Sequence, residues 1–159
     1  MTTTPHSMPQ EGTLAPDFAL EDKDGNVVTL KSFSGKWLVL YFYPRANTPG
    51  CTREGKEFTE MLPRFKALGC EVAGVSPDSL KALCNFAAKQ ELQVMLLSDK
   101  EKDCASAYGV YRMKKSYGKE SMGVVRSTFL IDPQGIISRI WSPVKLEGHV
   151  QEVLDTLEV

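Results

Sequence analysis

The sequence predicts an α/β domain in which a central mixed β-sheet is flanked by α-helices. Three observations support this fold class. Residues 36–43 read KWLVLYFY, an almost continuous apolar and aromatic run. A long amphipathic helical pattern follows directly, over about residues 51–68. From there to the end of the chain, short extended patterns alternate with helical ones, as they do in layered α/β proteins.

The first half of the chain begins with a predicted hairpin at 22–28, where DKDGNVV carries the Asp-Gly-Asn signal of a tight turn. The run 36–43 predicts a strand that is buried on both faces and therefore central in the sheet. In the helix predicted over 51–68, apolar residues recur at intervals of three and four. We expect Pro63 to bend or split this helix, and Gly69 to end it.

The second half begins with a predicted buried strand at 70–75, followed by a helix that Ser76-Pro77-Asp78 opens. The apolar stripe of that helix contains Leu80, Leu83, Cys84 and Ala87. The remaining predicted elements are a short strand at 94–97, a short helix at 99–108, a hairpin of 127–131 with 136–141, and a final amphipathic helix at 150–157. We expect parallel strands first and an antiparallel pair at the end of the sheet.

Length and composition favour one soluble domain over residues 1–159, with a flexible lead-in at 1–12. The formal net charge is -1, with 19 Lys and Arg against 20 Asp and Glu, so a broad basic surface for nucleic acid is not expected. The longest apolar run, 37–43, is far too short to span a membrane. The N-terminal residues lack the pattern of a secretory signal, which predicts a cytoplasmic protein.

Four cysteines, at positions 51, 70, 84 and 104, are the candidates for redox chemistry. None belongs to a CxxC pair, and the chain has two His, so neither a structural zinc site nor a thioredoxin-type redox motif is predicted. Without an export signal, free or catalytic thiols are more typical than a disulfide framework. We therefore expect no metal site.

Cys51 is the cysteine that its local pattern singles out. The turn PRANTPG separates it from the predicted strand and places it on the first turn of the predicted helix. Free backbone N–H groups and the positive end of the helix dipole stabilise a thiolate there. Gly50 leaves room for a small substrate, and Thr48 can point its hydroxyl into the same pocket. Spacing alone leaves open that Cys51 is a small buried residue and Thr48 a plain helix cap.

The segment PRANTPGC fits the peroxiredoxin pattern of Pro, three residues, Thr or Ser, two residues and Cys. Together with FYPRANTPGCTRE, SPDS and STFLIDPQG, it resembles the bacterioferritin-comigratory or PrxQ subgroup over about residues 15–157. The resemblance implies a thioredoxin-like fold and a thiol peroxidase that reduces hydrogen peroxide and organic hydroperoxides without metal, haem or flavin. It further implies a thioredoxin-like reductant and a monomer.

The same resemblance assigns roles to individual residues. Cys51 corresponds to the peroxidatic cysteine, which becomes a sulfenic acid. Thr48 corresponds to the residue that hydrogen-bonds the sulfur and the peroxide, and Pro44 to the residue that shields the site from water. Arg126, directly before STFLID, corresponds to the active-site arginine. On residue type alone, Arg126 would usually be a solvated surface charge, and Arg45 or Arg53, which lie nearer to Cys51 in sequence, could contribute instead.

The resolving cysteine, which would form a disulfide with the oxidised Cys51, is less clear. Many subgroup members carry it five residues after the peroxidatic cysteine, where this chain has Lys56, and others at the position of Ala87. Cys84 lies one helical turn before Ala87, so we expect a Cys51–Cys84 disulfide, which requires the first turn around Cys51 to unwind. Core packing of Cys84 remains the alternative, with external thiols then recycling a one-cysteine enzyme. Cys70 and Cys104 are expected to be buried.

Several other features are given less weight. Residues 112–115 are expected to form a solvated basic loop, and 122–125 an apolar lead into the strand that follows Arg126. His6 and His149 are poor candidates for a catalytic base. Two further functions remain open: a thioredoxin-fold disulfide reductase, which the missing CxxC disfavours, and a thioredoxin-fold binding or copper-handling module, which the missing CxxxC and the scarcity of His disfavour.

Overall fold

The computed structural model describes residues 8–116 and 118–158. In chain order the elements are β1 (Ala19–Asp22), β2 (Val27–Thr29), a 3-10 turn (Leu30–Phe33), β3 (Trp37–Phe42), α1 (Pro49–Ala67), β4 (Cys70–Ser76), α2 (Leu80–Gln90), β5 (Met95–Ser98), α3 (Asp103–Ala107), β6 (Tyr111–Ser116), β7 (Lys119–Val124), β8 (Ser127–Ile131), β9 (Ile137–Trp141) and α4 (His149–Glu158). The predicted order of strands and helices is confirmed in each of these regions except β6 and β7.

The central sheet has the strand order β2-β1-β5-β4-β3-β8-β9 within the described residues. The strands β3, β4 and β5 are parallel neighbours, whereas β8 and β9 form an antiparallel hairpin beside β3. The hairpin of β1 and β2 joins the opposite side through β5, also antiparallel. The mixed sheet is therefore confirmed, although antiparallel pairs close both of its edges instead of one.

The strand β3 is buried on both faces, as its sequence predicts. Val39 and Tyr41 point into a core that α1, α2 and α4 cover, with Phe58, Phe86 and Val153 from those helices. Leu38, Leu40 and Phe42 point into a second core on the other face of the sheet, which includes Tyr108 and Phe129. Because side chains alternate along a strand, an uninterrupted apolar sequence requires two such cores.

The helix α1 is continuous from Pro49 to Ala67 and is not split at Pro63. Pro63 lies on the exposed side of the helix, where water can replace the one backbone hydrogen bond that proline cannot make. Gly69 follows the end of the helix with φ +71°, a conformation that glycine adopts without strain.

The segment between α3 and β8 differs from its prediction. Instead of a solvated loop and an apolar lead, β6 and β7 form a two-stranded antiparallel ribbon that is separate from the central sheet. Met113 and Met122 pair directly across this ribbon and are both exposed. The run of charged residues hides the alternation that normally identifies a hairpin.

The expected flexible lead-in over 1–12 includes residues 1–7, which lie outside the described residues. Its last residues are held against the sheet. The backbone N–H of Gly12 donates to Ile137 O at 2.7 Å, and Glu11 Oε2 accepts from the backbone N–H of Ile140 at 2.9 Å. In the described part of the chain, no helix has the length and apolar character needed to cross a membrane.

Candidate active site

The chain reverses direction between β3 and α1, and this turn positions Cys51. The strand β3 ends at Phe42, Pro44 and Thr48 are half-buried in the turn, and Asn47 adopts φ +62°. Thr48 is the N-cap of α1 and Pro49 its first residue, a position where the missing N–H of proline has no helical partner to lose. Cys51 therefore lies in the first turn, as predicted, with 1% of its surface exposed.

Arg126 comes to the same place through the pairing of β3 with β8. Phe42, the last residue of β3, pairs with Ser127, the first residue of β8, so Arg126 lies beside the turn that carries Cys51. Its Nη2 donates to Cys51 Sγ at 3.3 Å. Arg126 is thus not the solvated surface charge that its residue type favours, since only 17% of its side chain is exposed.

Glu54 is the second partner of Arg126. Its Oε1 accepts from Arg126 Nη1 at 2.7 Å, and its side chain is fully buried. Its other carboxyl oxygen, Oε2, is buried without a hydrogen-bond partner among the described residues. Burial raises the pKa of Glu54 to about 7, although the Arg126 charge acts in the opposite direction. The sequence prediction missed this residue, and a signal was available: Glu54 lies one helical turn after Cys51, on the same face.

Gly50 provides the space in which Arg126 reaches the sulfur. A Cβ atom at Gly50 would lie 3.0 Å from Arg126 Nη2 and 3.2 Å from Leu146 Cδ1. The segment between β9 and α4 that carries Leu146 is joined to Arg126, because the backbone N–H of Val144 donates to Arg126 O at 3.0 Å. The sequence predicts that the missing side chain of Gly50 leaves room for a small substrate, and in the structure Arg126 and Leu146 border that space.

Thr48 has a different hydrogen bond from the one that the resemblance implies. Its hydroxyl donates to Arg45 O at 2.8 Å and forms no cap bond with the helix. Arg45 is exposed, and Arg53 forms an exposed ion pair with Glu57 at 3.3 Å. Neither of these arginines donates a hydrogen bond to the sulfur, so Arg126 is the guanidinium at the site.

Cys84 lies on α2, and its thiol is exposed to solvent. Its Sγ donates to Lys23 O at 3.0 Å, in the turn between β1 and β2. The alternative that Cys84 packs in the core is wrong, because α2 buries the face that carries Leu83, Phe86 and Ala87. An exposed thiol is available for reaction with a partner.

The other two cysteines are buried, as predicted. Loss of hydration raises the pKa of Cys70 to about 12, and burial raises the pKa of Cys104 further. Both thiols are therefore protonated at neutral pH and unreactive. In the described parts of the chain, no three His, Cys, Asp or Glu side chains are grouped so that they could hold a metal ion.

Comparison with known proteins agrees with this geometry. Residues 12–140 match the AhpC/TSA family. Peroxiredoxin Bcp of Bacillus subtilis is 44% identical over 147 residues, which are 92% of this chain and 94% of the relative. Peroxiredoxin Bcp of Xanthomonas campestris is 43% identical over 142 residues, 89% of each chain.

Solved structures show the same relationship. The bacterioferritin comigratory protein of X. campestris, which has been trapped in intermediate and ligand complexes of alkyl peroxide reduction, is 42% identical with a TM-score of 0.85, covering 89% of this chain and 90% of its own. Peroxidoxin BcpB of Mycobacterium tuberculosis is 31% identical with a TM-score of 0.83, covering 96% of this chain and 97% of its own. The chain therefore belongs to the AhpC/TSA family and is a peroxiredoxin of the bacterioferritin-comigratory or PrxQ group, a thiol peroxidase with a thioredoxin-like fold.

Proposed function

We propose that the protein reduces hydrogen peroxide and organic hydroperoxides at Cys51. The observation that carries the assignment is the hydrogen bond of 3.3 Å from Arg126 Nη2 to Cys51 Sγ. A guanidinium at this distance stabilises a thiolate, as do the free N–H groups at the start of α1.

In the proposed reaction, the Cys51 thiolate attacks the terminal oxygen of the peroxide. The new S–O bond forms as the O–O bond breaks, so the sulfur is oxidised to a sulfenic acid and the peroxide is reduced to hydroxide or alkoxide. Negative charge moves from the sulfur to the leaving oxygen. Arg126 and the backbone N–H groups stabilise that charge, and Thr48 and Pro44 complete the proposed site.

Organic hydroperoxides are included because apolar atoms lie at the site. A Cβ atom on Gly50 would lie 3.2 Å from Leu146 Cδ1 and 3.0 Å from Arg126 Nη2. The leucine methyl and the guanidinium therefore border the same space. An alkyl group bound through its peroxide oxygen to Arg126 would therefore find a leucine next to it. The relative from X. campestris, which acts on alkyl peroxides, supports this choice.

Cys84 is the proposed resolving cysteine, since its thiol is exposed on α2. Its sulfur attacks the sulfenic acid of Cys51, a disulfide forms and water leaves. A dithiol reductant of the thioredoxin type then exchanges with this disulfide and returns both thiols. If Cys84 does not resolve, an external thiol takes its place in a one-cysteine cycle.

We further propose that the chain acts as a monomer in the cytoplasm. All four cysteines are free, which is typical of a reducing compartment. Sedimentation of the purified protein and its localisation in cells test these two statements separately.

Peroxide consumption tests the proposal, with thioredoxin and thioredoxin reductase as the electron source. Wild type, Cys51→Ser, Cys84→Ser and the buried-cysteine control Cys70→Ala are compared. We expect Cys51→Ser to be inactive and Cys70→Ala to equal wild type. Cys84→Ser should lose turnover with thioredoxin but still be oxidised once at Cys51.

Activity that survives in Cys51→Ser would exclude Cys51 as the peroxidatic residue. Full turnover of Cys84→Ser with thioredoxin would exclude Cys84 as the resolving residue. An assay of insulin reduction separates the thioredoxin-type alternative, because only a disulfide reductase is active in it.

A further inference from the structure

Two acidic groups share one guanidinium at the start of α1. Cys51 Sγ accepts from Nη2 of Arg126 at 3.3 Å, and Glu54 Oε1 accepts from Nη1 of the same side chain at 2.7 Å. Cys51 and Glu54 lie three positions apart on the helix, so they share one face. The cluster of Cys51, Glu54 and Arg126 therefore contains two groups that can carry a negative charge and one cation that contacts both.

Titratable groups surround Glu54 from each element that packs near it. Cys51 and Glu57 are on its own helix, Tyr41 is in β3 and Tyr43 directly follows it, and Arg126 precedes β8. Burial, with a smaller effect of the Arg126 charge, lowers the pKa of His149 at the start of α4 to about 4, so this histidine is neutral at pH 7. Burial raises the pKa of Tyr43 and of Tyr41, so both hydroxyls keep their protons. Arg126 is thus the cation in contact with the carboxyl.

The burial of Glu54 favours a cluster with no net charge. The side chain is fully buried, and Oε2 has no hydrogen-bond partner among the described residues. A charged oxygen in that position loses its hydration without compensation, whereas a neutral carboxyl loses far less. One cation neutralises one anion, so a cluster that contains both a thiolate and a carboxylate carries a buried negative charge.

We propose that Glu54 is a positioning residue that holds a proton while Cys51 is a thiolate and releases it when Cys51 is oxidised. This proposal rests on the proposed reaction of Cys51. In balance, the Cys51 thiolate, the hydroperoxide ROOH and protonated Glu54 give the Cys51 sulfenic acid, the alcohol ROH and the Glu54 carboxylate. The sulfur is oxidised, the peroxide is reduced, and the proton from the carboxyl offsets the one that the leaving alkoxide takes up.

The net charge of the cluster is zero on both sides of this reaction. Before it, Arg126 is balanced by the sulfur, and afterwards by Glu54. A Glu54 that stayed protonated would leave Arg126 unbalanced in the oxidised state, and one that stayed ionised would leave an extra negative charge in the reduced state. Moving one proton avoids both costs in a site with little water. The ordinary range of the Glu54 pKa would not permit this at neutral pH, but its raised value of about 7 does.

Infrared difference spectroscopy at pH 7 tests the proposal directly. The reduced protein is oxidised with hydrogen peroxide, and the change in the carbonyl stretch of protonated carboxyl groups is recorded. We expect protonated carboxyl to be lost in proportion to the Cys51 oxidised, up to one group for each sulfur. The band should shift in protein labelled with ¹³C-glutamate, which assigns it to a glutamate without any variant. It should be absent from Glu54→Gln and present in the control Glu57→Gln.

Mass spectrometry of the same samples reports whether Cys51 has been oxidised, which keeps the two proposals separate. Oxidised Cys51 without loss of a protonated carboxyl overturns the proton role and leaves the peroxidase assignment intact. A band that persists in folded Glu54→Gln also overturns the role of Glu54. Failure to oxidise Cys51 at all overturns both, because the thiolate state on which the role depends would not exist.

Discussion

The guanidinium of Arg126 makes two contacts at once, with the sulfur of Cys51 and the carboxyl of Glu54. Its planar fork of donors allows this, because Nη1 and Nη2 point to different acceptors in a fixed geometry. A lysine ammonium would lack that fixed geometry. The identity of the residue at position 126, and not only its charge, is therefore important for the chemistry that we propose.

Substitution of Arg126 should slow the oxidation of Cys51 by peroxide. We expect Arg126→Ala to lower the second-order rate constant for oxidation of Cys51 by about 100-fold, since one donor to the developing charge is removed. Arg126→Lys should recover only part of the loss. Stopped-flow fluorescence with hydrogen peroxide measures the rate. The control is Arg53→Ala, which removes an exposed guanidinium from α1, the helix that carries Cys51, and should match wild type. Equal rates for the two alanine variants would contradict the role of Arg126.

Sequence alone could single out Cys51, because a turn rich in Pro and Gly before an amphipathic helix is a local pattern. It could not separate Arg126 from Arg45 and Arg53 on physical grounds, since the pairing of β3 with β8 brings Arg126 to the sulfur from 75 positions away. Glu54 was missed for a related reason. Its position one helical turn after Cys51 was a signal, but a glutamate on an amphipathic helix is normally exposed, and the cation that pairs with this buried one comes from a distant part of the chain.

At the level of elements, the proposed cycle requires the first turn of α1 and the exposed face of α2 to move towards each other. Cys51 is buried with 1% exposure and Cys84 is solvent-exposed, so they face different environments. A disulfide requires their Cα atoms to come within about 7 Å. The helix start is suited to such a change, because its first N–H groups have no helical acceptors.

Amide hydrogen exchange should report this change. We expect the first turn of α1, residues 49–53, to exchange faster in peroxide-oxidised wild type than in the reduced protein, because disulfide formation unwinds it. Oxidised Cys84→Ser serves as the control and should keep the exchange rates of the reduced state. The same acceleration in Cys84→Ser would show that oxidation alone unwinds the turn, without a disulfide to Cys84.

The helix α4 is attached to the sheet through a buried histidine, which gives a pH dependence. His149 Nε2 is 2.8 Å from Thr128 Oγ1, and Trp141 packs edge-on against its ring. Burial lowers the pKa of His149 from 6.5 to about 4 in the folded protein. The unfolded chain therefore binds the proton first as pH falls, so stability from this residue is complete above about pH 6.5 and is lost towards pH 4.

Comparison of wild type with His149→Gln should isolate this effect. We expect the free energy of unfolding of wild type to fall by up to about 3 kcal/mol more than that of the variant between pH 7 and pH 4. Urea unfolding followed by circular dichroism at several pH values measures it. Because the other titrating groups are the same in both proteins, parallel pH curves would contradict the assignment to His149.

At the scale of the whole molecule, one sheet separates two apolar cores. Phe58 of α1 lies in one of them and Phe129 of β8 in the other, and both are fully buried. The strand β3 contributes to both cores, so neither core can be disrupted without loss of the shared sheet. The two faces should therefore unfold as one cooperative unit.

Truncation on either side should report the same transition. We expect Phe58→Ala and Phe129→Ala each to lower the free energy of unfolding by about 3–5 kcal/mol, because each leaves a cavity at a fully buried site. Each variant should show a single urea transition in both fluorescence and circular dichroism. Two separate transitions in either variant would mean that the cores are independent and that residues 8–158 do not act as one domain.

Continuous apolar runs predicted the buried strands β3, β4 and β8, and apolar residues at intervals of three and four predicted α1, so most of this architecture follows from the sequence. The ribbon of β6 and β7 was not predicted, because strands that cover little core carry charged residues on both faces. The pairing of β1 with β5 could not be read from the sequence either, because it joins segments that are far apart in the chain.

The central claim is that Cys51 is the sulfur that peroxide oxidises, and trapping of the sulfenic acid tests it most directly. The reduced protein is treated with one equivalent of hydrogen peroxide and dimedone, and the labelled peptides are identified by mass spectrometry. We predict that the label is confined to the peptide containing Cys51 and increases when Cys84 is replaced by serine. A label on Cys70, Cys84 or Cys104 with none on Cys51 would contradict the account.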